Sequence, residues 1–120
     1  MSGNNFLLDT NILLYLIGGK ISVDALPEGE FLVSFITELE VLSYPSITPQ
    51  EENQLKRFLR DIPIIDITAE IKEQTIALRK KHNLRLPDAI IAATAVRIGA
   101  TLITNDKGFA SVQELQVKSL

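Results

Sequence analysis

No cysteine occurs in the chain, so disulfides, thiolate metal sites and cysteine nucleophiles are excluded, and a reducing compartment is permitted. Histidine is almost as scarce. His82 stands alone, so any metal must be held by oxygen ligands or by that one ring. The amino end, Met1-Ser2-Gly3-Asn4-Asn5, lacks the basic residues of a secretory signal, and the best apolar run is broken by Asp9 and Asn11 well short of membrane-spanning length. A soluble, cytoplasmic protein without membrane contact is expected. Positive charge is also in deficit: twelve Lys and Arg against fifteen Asp and Glu leave a net charge of −3, which on its face argues against a polyanionic partner. Two divalent cations in a four-acid site would reverse that sign.

What is present is apolar and regularly patterned. With 120 residues and 46% hydrophobic content the chain can bury one core and has little left for a second, so residues 1–120 are expected to form one domain. Helix and strand signals alternate, the pattern of βα units around a mostly parallel sheet. Phe6-Leu7-Leu8 is apolar without alternation, as in a strand covered on both faces, and it stops on Asp9-Thr10-Asn11. A helix follows from Ile12 to Ile17, and Ile21 to Leu26 reads as a short, weak helix closed by Pro27. Phe31 to Phe35 is a second strand. The next helix runs from Phe35 or Ile36 to Tyr44, with Phe35, Leu39 and Leu42 on an apolar stripe. Thr48 and Pro49 open another helix, with Leu55, Phe58, Leu59 and Ile62 on its core face. Ile62 to Ile67 reads as a third strand, and Pro63 favours the sheet edge. Thr68 caps a long helix to about His82. Ala100 to Thr104 is the fourth strand, and Leu115-Gln116-Val117 adds a short fifth.

Two of these strands, the first and the fourth, end on an aspartate beside an asparagine: Asp9 near Asn11, and Asp106 after Asn105. In an α/β/α sandwich with sheet order 3-2-1-4-5 those strands are neighbours where the winding reverses, and their carboxyl ends face one crevice. Asp88 opens a helix whose face continues through Ala92, Ala95 and Gly99, small residues that allow close approach to the sheet. An acid in such a first turn either compensates the helix dipole or is aimed at the strand ends. Glu38 and Glu40 lie on opposite flanks of the stripe in the helix after strand two, equally far from its centre, so periodicity does not choose between them.

The ordered set Asp9-Thr10-Asn11, Thr37-Glu38-Leu39-Glu40, Asp88-Ala-Ile-Ile-Ala-Ala-Thr-Ala and Thr104-Asn105-Asp106 resembles a PIN-domain ribonuclease of the VapC toxin type, over Phe6 to about Val117. The resemblance implies a PIN-like fold with Asp9, Glu40, Asp88 and Asp106 as metal-binding, catalytic acids and Asn11 and Thr104 as supporting polar groups. It also implies one or two Mg²⁺ or Mn²⁺ ions, an RNA substrate, a small antitoxin partner and a homodimer. Gly108 departs from it, because related sequences often carry another acid there. The residue types suit the chemistry: phosphodiester hydrolysis needs an activated water and a stabilised leaving oxygen, and hard cations on carboxylates supply both. All-oxygen ligands favour these ions over Zn²⁺.

Other residues have simpler roles. Asp24 and Asp61 read as loop or surface acids, Asp66 as part of a helix start, and His82 as surface polar. Arg79, Lys80 and Lys81, with Arg85, suit a helix carboxyl end, and they are also candidate RNA contacts. A haloacid-dehalogenase-like phosphatase would require Asp-x-Asp after strand one, a receiver domain an acidic pair, and a dinucleotide fold a glycine-rich turn; none is present. A metal-dependent endoribonuclease is therefore the expectation. The alternatives are a catalytically weak or inactive PIN-like RNA-binding or scaffold module, and a small-molecule phosphatase.

Overall fold

The computed structural model describes residues 4–120. Five strands, β1 (Asn5–Leu8), β2 (Glu30–Ser34), β3 (Ile64–Ile65), β4 (Thr101–Ile103) and β5 (Val117–Lys118), form a parallel sheet in the order β3-β2-β1-β4-β5. Five helices connect them: α1 (Thr10–Ile17), α2 (Phe35–Leu42), α3 (Pro49–Arg60), α4 (Ala69–His82) and α5 (Leu86–Ile98). Among the described residues no helix is long and apolar enough to cross a membrane.

Successive strand side chains leave opposite faces of the sheet, and the core divides accordingly. Leu7 and Leu102 meet Leu78 of α4 and Ile91 of α5 on one face. Phe6, Leu8, Val33 and Ile103 meet Ile12 and Leu13 of α1 and Leu55 and Leu59 of α3 on the other. Phe6 and Phe31 stack across β1 and β2 at 5.7 Å between ring centres. Helix α5 is buried continuously from Ala89 to Ala95, so its small side chains serve two neighbours at once, the sheet and α4.

Local chemistry sets the ends. Ser34 is both the last residue of β2 and the N-cap of α2, its hydroxyl accepting from Ile36, so the strand stops one residue before the sequence pattern suggests and Phe35 is helical. The Thr48 capping box, Pro49 and the Thr68 cap stand where their residue types predict. The third strand is corrected to two residues, because Pro63 has no N–H to donate and Asp66 turns the chain by accepting from Ile67. Ile21 to Leu26 contains only a 3-10 turn, Val23–Ala25, and the fifth strand lies two residues later than expected. Helix α2 ends at Leu42 rather than Tyr44. Its stripe is also corrected: Leu39 is 55% exposed, and the buried positions are Thr37 and Val41. Both faces of α2 are in demand, with Ile36 packing toward α4 and α5 and Val41 toward α1 and α3.

Candidate functional site

The N–H of Asp9 still donates to the Ile103 carbonyl at 3.0 Å, so its carboxylate leaves the sheet beside the end of β4. Extended backbone at Asp9 makes it the N-cap of α1, with Oδ1 accepting from the Thr10 N–H at 2.8 Å. Its other oxygen, Oδ2, accepts the Thr104 hydroxyl at 2.6 Å. Thr104 Oγ1 in turn accepts the Asp106 N–H at 3.0 Å. One buried hydroxyl thus ties the end of strand one to the turn after strand four.

Asp9 is only 6% exposed. Burial pushes its carboxyl above the ordinary value of 3.8; the hydrogen bonds from Thr104 and Thr10 oppose that shift, and the charges of Asp88 and Asp106 add to it. Three acids far apart in sequence therefore share one electrostatic neighbourhood. Asp88 lies in the first turn of α5 and accepts from Arg85 Nε at 3.3 Å. Asp106 caps the short turn Lys107–Phe109, its Oδ1 accepting the Gly108 N–H at 2.8 Å. A Cβ at Gly108 would stand 3.2 Å from that same oxygen, so a side chain there would crowd Asp106.

Glu40 is distinguished from Glu38 by its contact with Thr10, the residue after Asp9. The Thr10 hydroxyl donates to Glu40 Oε1 at 2.6 Å and lies 3.2 Å from the Thr37 hydroxyl. With its single proton committed to Glu40, Thr10 must accept from Thr37. Glu38 instead lines a shallow groove with Lys56 and Arg60, facing α3. Thr10 and Thr37 were missed as functional positions; the available signal was that each sits beside an acid of the motif, Thr10 after Asp9 and Thr37 at helical spacing from Glu40.

Asn11 is exposed and lines a neighbouring cavity with Tyr15 and Tyr44. Most of the candidate RNA-contact cations have local partners: Arg79 donates to the Leu84 carbonyl, Lys81 pairs with Glu114, and Arg85 with Asp88. His82 also bonds Glu114, at 2.9 Å.

Can this group hold a hard cation? The donors are all carboxylate and hydroxyl oxygens, which suits Mg²⁺ or Mn²⁺, and a desolvated carboxylate beside two other acids gains from a counter-charge. Among the described residues no three acidic side chains form a ready ligand set, and Asp88 and Asp106 each accept a local hydrogen bond, from Arg85 and Gly108. The donor chemistry fits such an ion, since each of these carboxylates keeps an oxygen free of its local contact.

A family model described as PIN domain matches residues 6–115. Among solved structures, a chain of a toxin-antitoxin complex from Klebsiella pneumoniae is 36% identical, with a TM-score of 0.77 over 91% of this chain and 93% of that one. A chain of VapBC2 from Rickettsia felis bound to a promoter DNA fragment is 25% identical, with a TM-score of 0.82 over 96% of this chain and 98% of that one. VapBC-1 from nontypeable Haemophilus influenzae aligns at 25% identity and a TM-score of 0.73, covering 96% and 97%. No curated protein sequence matches the chain significantly.

Proposed function

The chain belongs to the PIN-domain family, and on that premise we propose that it is a metal-dependent endoribonuclease, the toxin of a toxin-antitoxin pair. The observation that carries this is the desolvated Asp9 carboxylate at the end of β1, with Asp88 and Asp106 close enough to raise its proton affinity. Asp9, Glu40, Asp88 and Asp106 would hold one or two Mg²⁺ or Mn²⁺ ions. When bound, such an ion supplies a water made nucleophilic at neutral pH and charge stabilisation for the leaving oxygen of the phosphodiester.

The chain's own groups do the positioning. Thr104 fixes one oxygen of Asp9 and the backbone of Asp106, so both strand-end acids are held to one frame. Thr10 steadies Glu40 from across the crevice, the role that hydrogen-bonded neighbours of ligating carboxylates play elsewhere. Arg85, mostly exposed and paired with Asp88, can be released to an RNA phosphate when a cation takes over that carboxylate.

The partners follow from the same reading: single-stranded or loop RNA in the cytoplasm, a small antitoxin that covers the acids, and a second copy of the chain. Mn²⁺-dependent cleavage of RNA by the purified chain, abolished by chelation and reduced at least a hundredfold or so in Asp9→Asn, is the expected result. RNA binding without cleavage at any Mn²⁺ or Mg²⁺ concentration would favour the alternative of a non-catalytic RNA-binding module, for which the separated carboxylates are the supporting observation. Purification as a monomer that binds no co-expressed short partner would count against the toxin assignment.

A further inference from the structure

The chain has two tyrosines, and both line one cavity of about 360 Å³ between α1, the turn after α2 and α3. Helix α1 connects this cavity to the acids. Asp9 caps it, Thr10 holds Glu40, Asn11 lines the cavity, and Tyr15 lies roughly 9 Å of helix beyond Asp9. Tyr44 is 46% exposed, a large ring that neither core uses. Lys20 holds its ammonium 5.5 Å from the centre of the Tyr15 ring, which fixes a positive charge beside the aromatic walls. The only carboxylate in the lining, Glu51, is committed to the α3 capping box, where it accepts the Thr48 N–H at 3.1 Å.

We propose that this cavity is a nucleobase subsite for a single-stranded RNA substrate, with Tyr44 as the stacking face and Lys20 meeting the adjacent phosphate. This rests on the ribonuclease reading above. Aromatic faces beside cations hold single strands with little sequence preference, because every base has a π-face. The volume admits a base, and the path along α1 leads back to the acids. Leu14, Ile17, Ile47 and Leu55 complete the lining and offer apolar surface to the plane of a base.

The chain has no tryptophan, and labelling with 3-fluorotyrosine gives two ¹⁹F resonances that both report on this cavity. In the Asp9→Asn chain both should move on titration with a single-stranded RNA hexamer, whereas inorganic polyphosphate should move only the Tyr15 resonance, whose ring lies beside Lys20. In the active chain Tyr44→Leu should raise KM for RNA about tenfold with kcat nearly unchanged, while Tyr44→Phe stays near wild type. Lys20→Ala should make the salt dependence of RNA binding shallower by about 0.7 in log–log slope. Resonances that RNA leaves unmoved, a Tyr44 shift that polyphosphate reproduces, or a Tyr44→Leu chain with wild-type KM would overturn the subsite. If the wild-type chain still cleaves RNA in that case, the ribonuclease reading stands; a chain that neither binds nor cleaves RNA overturns both.

Discussion

Burial makes the ionised form of Asp9 costly in the folded chain. Its folded-state carboxyl holds a proton more tightly than in the unfolded chain, so the stability this group contributes is fully present below about pH 3.8 and is lost as pH rises through the raised value. Asp9→Asn removes that cost without unmaking the site: the amide oxygen still accepts from Thr10, and the amide N–H₂ can donate to Thr104, whose hydroxyl keeps the Asp106 N–H on its second lone pair. Without metal, Asn should therefore melt a few degrees above wild type at pH 7, with the gap closing toward pH 4, as followed by circular dichroism. Added Mn²⁺ should raise the melting temperature of wild type and leave Asn unmoved. Thr10→Val tests the opposite side of the crevice. Loss of the 2.6 Å bond frees Glu40, and Mn²⁺ affinity measured by calorimetry should fall roughly tenfold.

At the scale of elements, the ends of β1 and β2 depend on one glycine. Glu30 N–H donates to the Asn4 carbonyl at 2.7 Å, and a Cβ on Gly29 would lie 2.3 Å from that carbonyl oxygen and 2.7 Å from the Phe6 ring, at a backbone φ of +154°. Gly29→Ala should cost about 2–3 kcal/mol in urea denaturation, since backbone has to shift. Much at this scale was legible beforehand. The unbroken apolar triplet Phe6-Leu7-Leu8 ending on a polar turn suits a strand covered twice, and Thr48-Pro49 and Thr68 carry their capping chemistry in their side chains. The stripe on α2 was not legible, because a helix wedged between two cores has two apolar faces and no single period; Leu39 was taken for core while Thr37 was overlooked. The same ambiguity left Glu38 and Glu40 tied until the Thr10 hydroxyl separated them. The short β3 was overrun because Ile64-Ile65 and Ile67 look alike in hydropathy, whereas Asp66 bends the backbone between them.

For the whole molecule, alternating helices and strands pointed to a mostly parallel sheet, and taking the doubly wound, PIN-like order for it made Asp9 and Asp106 neighbours, as the structure has them. The clasp between α4 and the segment before β5 was not, since nothing local marks Glu114. A hydrogen bond from its own backbone, then those with His82 and Lys81, hold that carboxyl down to about 2. The group is largely solvent-screened, so its contribution is modest. Its sign is definite: the stability is present above about pH 4.5 and lost as pH falls through about 2. Glu114→Gln should lower the melting temperature slightly at pH 6 and leave it equal to wild type near pH 2.

The Asp9–Thr104 hydrogen bond spans 95 positions of sequence, and β4 must pair with β1 before it can form. During synthesis, a chain whose first strand and helices have already left the ribosome still lacks the hydroxyl that orients Asp9, and Asp106 with it. On the ribonuclease reading proposed above, a centre built this way would stay inert on the machine that makes it until those late residues clear the exit tunnel, a delay in which a co-translated antidote could be ready.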